Sequence, residues 1–499
     1  MLHKPFALAA LLAASCGAQA ANDADLAAIR SQIDEMKRTY EQRITALEKK
    51  LAEAEAQAAR QPAAPAQASG TAPAGSGAVA PVAAADAAGA RPAPQPSGSV
   101  ASAANAFNPQ VSLILQGQYA NRKDIPNRSI SGFWPAAGGE HDHGGGNGTD
   151  NTRGFSIDHT ELVISAGVDP YFNGRAIFAI VDDQVETEEA WFQSSAIGYG
   201  VGVKGGRFRS GIGYLNEQHP HQWDFYDAPL MYQAMFGTAR EASYTQDGVQ
   251  MKWVAPTPMF LEFGAEVGRS ARFPGTDRNK NGNAGGALFG HVGGDVGASN
   301  SWRAGLSWLK ISPENRETDF HDINDVHAPS SFTGDSDTYI ADFVWKWAPD
   351  GNPYYNNFKL QAEYFWRKEK GDLTCAAESG EANACSPDPN DPTSVTSNYQ
   401  TRQNGWYAQA VYQFTPNWRA GLRYDQLDSG TQDLGANDAN LEVTSYKPKR
   451  SSIMVDYSWS EFSRMRLQYA QDKSMQGITD NQITLQYIMS LGPHGAHKF

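Results

Sequence analysis

The chain has 499 residues and a net charge of −14, with a mean hydropathy of −0.51. Such an acidic balance makes nucleic acid an improbable partner, because its phosphates would be repelled. No segment beyond the first twenty residues approaches the roughly 18 consecutive apolar residues of a membrane helix, so any membrane crossing must be made by strands, whose alternation hides them from average hydropathy.

The N-terminus reads as a secretory signal peptide over residues 1–20: Lys4, an apolar run from Phe6 to Leu12, and small Ala18 and Ala20 before the cleavage point. Cys16 follows a weak lipobox-like Ala-Ala-Ser, and is otherwise lost with the signal. From Asp23 to Arg60 the residues Leu26, Ile33, Tyr40, Leu47 and Ala54 stand seven apart, with Ile44 and Leu51 in the second core position, which predicts an α-helical coiled coil over 21–60. Its apolar stripe calls for copies of itself, giving an expected homotrimer; the alternative is a solvated single helix. Residues 61–106, almost wholly Ala, Pro, Gly, Ser and Gln, cannot bury enough apolar area to fold and read as a linker.

From residue 107 to 499 the pattern becomes short alternating segments. Val111, Leu113, Leu115 and Tyr119 share one face of the first, while Ser112, Gln116 and Gln118 share the other. In the last, Ile483, Leu485, Tyr487, Met489 and Leu491 oppose Thr484, Gln486 and Ser490. Apolar-out and polar-in is what a membrane barrel needs. Sixteen such segments are predicted, the outermost near 110–121 and 481–491. Connections after even segments are short and many after odd ones long, which is the barrel rule of tight periplasmic turns and large outer loops. A soluble sandwich would give alternation without that asymmetry, and without aromatics at strand ends such as Trp345-Lys346-Trp347 and Tyr364-Phe365-Trp366. The expected fold is therefore an all-β, sixteen-stranded antiparallel transmembrane β-barrel with an N-terminal coiled coil. It would sit in the bacterial outer membrane, with lipid and lipopolysaccharide around it and its N-terminal region in the periplasm. The terminal Phe499 agrees with an outer-membrane insertion signal.

Cys375 and Cys385, in a Gly/Asp/Asn/Pro-rich segment of an exported chain, are expected to form a disulfide in an outer loop. The histidines are mostly paired. Glu140-His141-Asp142-His143 and His219-Pro220-His221 place imidazoles beside carboxylates, a donor set suited to zinc, copper or nickel, although histidine is also ordinary in polar loops. His141, His143, His219 and His221 are thus the candidate metal ligands, and zinc the possible ion, with no other cofactor expected. Asp277 to Gly282 opens like a calcium loop, but Leu288 stands where the bidentate Glu is required, so an Asn-Gly turn is the better reading. No phosphate loop, nucleophile elbow or zinc-protease motif occurs, and an enzyme is not expected.

The run from Glu189-Ala190-Trp191-Phe192 to Gly205-Gly206-Arg207-Phe208-Arg209-Ser210-Gly211-Ile212-Gly213 resembles the strand pair and Gly-x-Phe-Lys-x-Pro-Phe-Gly motif of the phosphate-selective (O/P-type) porin family. The likeness is specific over this stretch only. Arg209 stands where the family has Lys, and Ser210-Gly211 replaces its next residues. The resemblance implies a trimeric sixteen-stranded porin whose pore is lined by Arg and Lys; here Lys204, Arg207 and Arg209 are the compact basic group in view. It also implies that the third long loop, residues 210–246, folds into the lumen. Glu217, His219, His221, Asp224 and Asp227 would then stand at the constriction together with that basic group, and Trp223, Phe225 and Tyr226 would pack the loop to the wall. Acids crowded in a narrow eyelet would favour cations. The function expected is passive uptake of small hydrophilic solutes or ions. The rival is an actively driven outer-membrane receptor for a transition metal such as zinc, ranked lower because coiled coil and linker occupy the place of its plug.

Overall fold

The computed structural model describes residues 109–492, apart from 126–127, 134–151, 158, 182–183, 238–241, 279–280, 378–381 and 389–392. The expected signal peptide, coiled coil and linker, and His141, His143 and Phe499, lie outside the described residues.

Sixteen antiparallel strands close into one barrel. The first eight are β1 (Gln110–Asn121), β2 (Gly154–Ile157 with Thr160–Gly167), β3 (Phe172–Val181), β4 (Gln184–Ser194), β5 (Val201–Arg209), β6 (Thr245–Val254), β7 (Phe260–Gly268) and β8 (Gly285–Val296). The second eight are β9 (Asn300–Ile311 with Arg316–His321), β10 (His327–Trp347), β11 (Asn357–Ala376), β12 (Ser394–Gln413), β13 (Trp418–Asp433), β14 (Lys449–Ser460), β15 (Ser463–Lys473) and β16 (Asp480–Leu491). Two of these strands are interrupted. Both pieces of β2 pair with β1, and both pieces of β9 pair with β10. Closure comes from β1 on β16, with Leu113 opposite Leu491 and Asn121 opposite Ile483, so no edge is left to template aggregation.

The strand alternation is realised in three dimensions. On β16, Thr484, Gln486 and Ile488 are buried inside, while Ile483, Leu485, Tyr487 and Leu491 stay exposed on the outer surface. Exposed Leu306, Leu422, Val185, Ile453 and Leu467 continue that apolar exterior around the barrel. Aromatic rings cluster in two bands. Trp418, Tyr457, Trp459 and Tyr487 form a chain of contacts at the short-turn end, and Trp308, Tyr339 and Trp366 stack nearer the loops. An apolar belt between two aromatic girdles is the exterior of a transmembrane barrel, because ring dipoles suit the headgroup layer.

On the long-loop side, β9 to β13 run well past the membrane belt. β10 begins at His327 and β12 at Ser394, where the sequence pattern places strand starts at 336 and 402. Their outer halves enclose a second apolar cluster of Phe320, Phe332, Leu373, Tyr399, Leu434 and Leu441. Cys375 and Cys385 lie in it and are disulfide-bonded, with Cα atoms 5.9 Å apart.

Candidate functional site

Between β5 and β6 the chain turns into the barrel. Gly213, at φ +64°, takes a left-handed conformation that suits glycine. A single 3₁₀ turn, Pro220–Gln222, and a short helix α1, Leu230–Phe236, follow. Every residue of α1 is buried. Its face packs on Phe365 of β11, Tyr407 of β12 and Leu427 of β13, and Ile130 and Phe133 of the first outer loop join the same cluster. Gln403 donates to the carbonyl of Gly132 at 2.9 Å, tying that outer loop to the far wall.

A loop inside a barrel must satisfy its backbone polar groups, and here arginines do so. Arg209, Arg303, Arg464, Arg466, Arg423 and Arg450 donate to the carbonyls of Gln218, Gly213, His221, Trp223, Asp227 and Ala228 respectively, at 2.7–3.0 Å. Carboxylates hold the amides. Glu363 accepts from Tyr214 and Leu215 at 2.6 and 2.8 Å, Glu266 from Gly211 at 2.8 Å, and Asp425 from Leu230 at 3.0 Å. The loop is thus bonded to strands on opposite sides of the lumen.

The loop's own acids are paired. Asp224 meets Lys359 at 2.6 Å and Arg419 at 3.1 Å. Asp227 meets Arg423 and Arg450, each at 2.7 Å. Burial works to raise both carboxyls, but Lys359 and Arg419 beside Asp224, and Arg423 and Arg450 beside Asp227, hold them well below the usual carboxylate range. Their expected part in drawing cations is therefore altered, since each enters the lumen already engaged by two cations. Glu217 pairs with Lys252 at 2.8 Å. Trp223 and Phe225 are buried, Phe225 beneath the Arg423 guanidinium at 4.7 Å, and the Tyr226 amide donates to Gln468 at 2.8 Å.

The basic group expected on β5 is dispersed. Lys204 lies 4.8 Å over the Trp191 ring, and Arg207 pairs half-exposed with Asp247. Arg209 joins Glu188 at 3.0 Å. Gly206 between them, at φ +122°, is where an added Cβ would come within 2.3 Å of the Ala190 carbonyl oxygen, so the glycine pair of the motif allows close approach of β5 to β4. The larger basic surface is a wall on β9 to β15, with Arg303, Lys346, Lys359, Arg419, Arg423, Arg450, Arg464 and Arg466; this corrects the reading that β5 carries the compact group. The wall's signal was present as same-face spacing of two or four, Arg464 with Arg466 and Arg419 with Arg423.

His219 and His221 do come together, their rings stacked with centroids 5.9 Å apart. They meet partners that sequence spacing does not mark. His159 and Glu161 point inward from the break in β2. Glu188 and Glu189 both point inward from β4, because a bulge opposite Ile177 and Phe178 breaks the alternation. His221 Nδ1 lies 3.0 Å from Glu161 Oε1, and His159 Nε2 lies 2.6 Å from Glu188 Oε1. Away from this group, His321 contacts Asp325 on the surface at 2.7 Å.

No family model matches the chain. A protein of Aquifex aeolicus (strain VF5), described only as uncharacterized, is 29% identical over 425 residues, covering 79% of this chain and 80% of that one. Among solved structures, a loop-deletion mutant of OmpT, an outer membrane protein of Vibrio cholerae, matches with a TM-score of 0.43 at 10% identity, over 77% of this chain and 99% of that one. The outer membrane channel DcaP of Acinetobacter baumannii gives 0.42 at 12% identity over 77% and 97%. An anion-selective porin from Comamonas acidovorans gives 0.41 at 10% over 77% and 99%.

Proposed function

We propose that the protein is an outer-membrane porin, a passive channel for small hydrophilic solutes, in which the loop of residues 210–244 narrows the lumen. The observation that carries this reading is the loop itself, held across the interior of a closed, lipid-facing barrel by six arginines bonded to its carbonyls. A purely structural tether has no need of a polar, charge-lined interior. A side chain that bonds a carbonyl keeps its positive charge, whereas an Arg–Asp pair cancels. Arg303 and Arg464 bond loop carbonyls near the short-turn end, and there Arg419, Arg464 and Arg466 share the carboxylate of Asp456, so the cations of the wall outnumber its acids and favour anions in spite of the acidic total of the chain. We place it with the phosphate-selective porins on the β4–β5 motif, and its solutes are small and anionic.

The test is single-channel recording in planar bilayers under a salt gradient. Discrete steps with a reversal potential on the anion side are expected, and Arg303→Gln with Arg464→Gln should move that potential towards cations. A folded barrel that produces no steps would overturn the channel reading; steps with cation selectivity would overturn the anion reading alone.

A further inference from the structure

The His/Glu group under the lumen loop has a bonding pattern that its own members do not complete. Glu161 presents Oε1 to the His221 ring at 3.0 Å. Glu188 presents Oε1 to His159 at 2.6 Å and to Arg209 at 3.0 Å. The other oxygen of each carboxylate, Glu161 Oε2 and Glu188 Oε2, is buried without a hydrogen-bond partner, and so is His219 Nδ1. These three atoms converge: His219 Nδ1 is 3.3 Å from Glu161 Oε2 and 3.2 Å from Glu188 Oε2, off hydrogen-bond geometry. The side chains are 0%, 2% and 6% exposed for Glu161, Glu188 and His219, too dry for water to satisfy them cheaply.

We propose that Glu161, Glu188 and His219 form a site for a zinc-class divalent cation that staples the lumen loop to β2 and β4. Ligands about 2.0–2.1 Å from a tetrahedral ion stand about 3.3–3.4 Å from one another, close to the 3.3 and 3.2 Å that separate His219 Nδ1 from the two carboxylate oxygens. A nitrogen with two carboxylate oxygens is a borderline donor set that suits zinc. The surroundings are those of an oriented site. His219 turns Nε2 towards Glu189 Oε2 at 3.5 Å, the carboxylate–histidine arrangement that fixes a ligating ring, and Glu189 is itself held by the Arg209 amide at 2.8 Å. His221 holds the Glu161 carboxylate, and Arg209 the Glu188 carboxylate, through their other oxygens. His159 lies close enough for a donor atom from each of His159, Glu161 and Glu188 to fall within 4.8 Å of one another, so it flanks the fourth position. The site is separate from the conduction argument, because a channel needs the loop in place and not the ion.

The probe is zinc, on untagged full-length protein in detergent. Because the group is enclosed, the ion loads as the loop folds, so the protein is refolded with and without zinc, passed over a chelating resin and analysed for metal by mass spectrometry, with X-ray absorption to read the ligands. One tightly held zinc per chain with nitrogen and oxygen ligands only is expected. Glu188→Gln with His219→Ala should abolish it, and Glu189→Gln, which removes no ligand, should weaken it about 10- to 100-fold. The exposed-site variant His321→Ala should leave it unchanged. Resistance of the folded barrel to SDS until heated shows that each variant is folded. Folded wild type that holds no zinc after refolding in it, or that keeps its zinc in the Glu188→Gln, His219→Ala variant, overturns the site, and conductance measured on the same sample shows separately whether the channel reading stands.

Discussion

At the scale of single residues, the interior is organised by guanidinium groups that serve the loop twice, once through its carbonyls and once through its acids. Asp227 shows the consequence most sharply. It compensates two buried arginines, Arg423 and Arg450, and also accepts from Gln468 at 2.9 Å. Removing the carboxylate leaves Arg423 and Arg450 to share Asp425, at 3.0 and 3.8 Å, with Asp472 3.8 Å from Arg450, so a loss of about 3 kcal/mol, the low end for a broken buried pair, is expected. Asp227→Ala is therefore expected to release the loop without opening the barrel. Hydrogen exchange should speed up over residues 211–236 and stay unchanged on β1 and β16; unaltered loop protection would show that the pair is dispensable. Little of this pairing was legible beforehand. Asp224 and Asp227 stand out in the sequence as acids in a long connection, but their partners lie well over a hundred positions away and meet them only when the barrel closes. His159, Glu161 and the Glu188-Glu189 pair were missed for the same reason, and because a bulge, which no alternation pattern announces, is what turns both glutamates inward.

Among the elements, the membrane portions of the strands were readable and their outer extensions were not. β1 and β16 alternate cleanly since lipid faces one side and the lumen the other. The first turns of β12, Ser394 to Thr401, carry polar residues on both faces, as suits a strand standing in water, and so read as loop. These extensions build the apolar cluster that holds the Cys375–Cys385 disulfide. The bond closes a short stretch, so its entropic effect is local, about 2–3 kcal/mol. Cys375→Ser with Cys385→Ser should leave membrane insertion and conductance intact, while proteolysis between residues 377 and 393 becomes faster. A barrel that fails to assemble would show instead that the bond acts on folding as a whole.

For the whole molecule, closure of β1 on β16 makes the barrel complete without the preceding hundred residues. We propose that the heptads from Leu26 to Ala54 serve to hold copies together. Deleting residues 23–60 is expected to lower the mass of the detergent-solubilised protein from trimer towards monomer, read by light scattering, with the barrel still resistant to SDS until heated. Equal masses for the two proteins would assign trimerisation to the barrel wall or deny it altogether.

The anchoring of the lumen loop through its main chain has an evolutionary corollary. Carbonyls and amides are common to all residues, so a wall that grips the backbone leaves free to vary those side chains of the gripped segment that are not themselves paired or packed, as Asp224, Asp227, Trp223 and Phe225 are. The arginines and Glu363 act as a fixed socket, and the residues between the gripped points can be exchanged to retune what the pore admits while the fold that presents them stays the same.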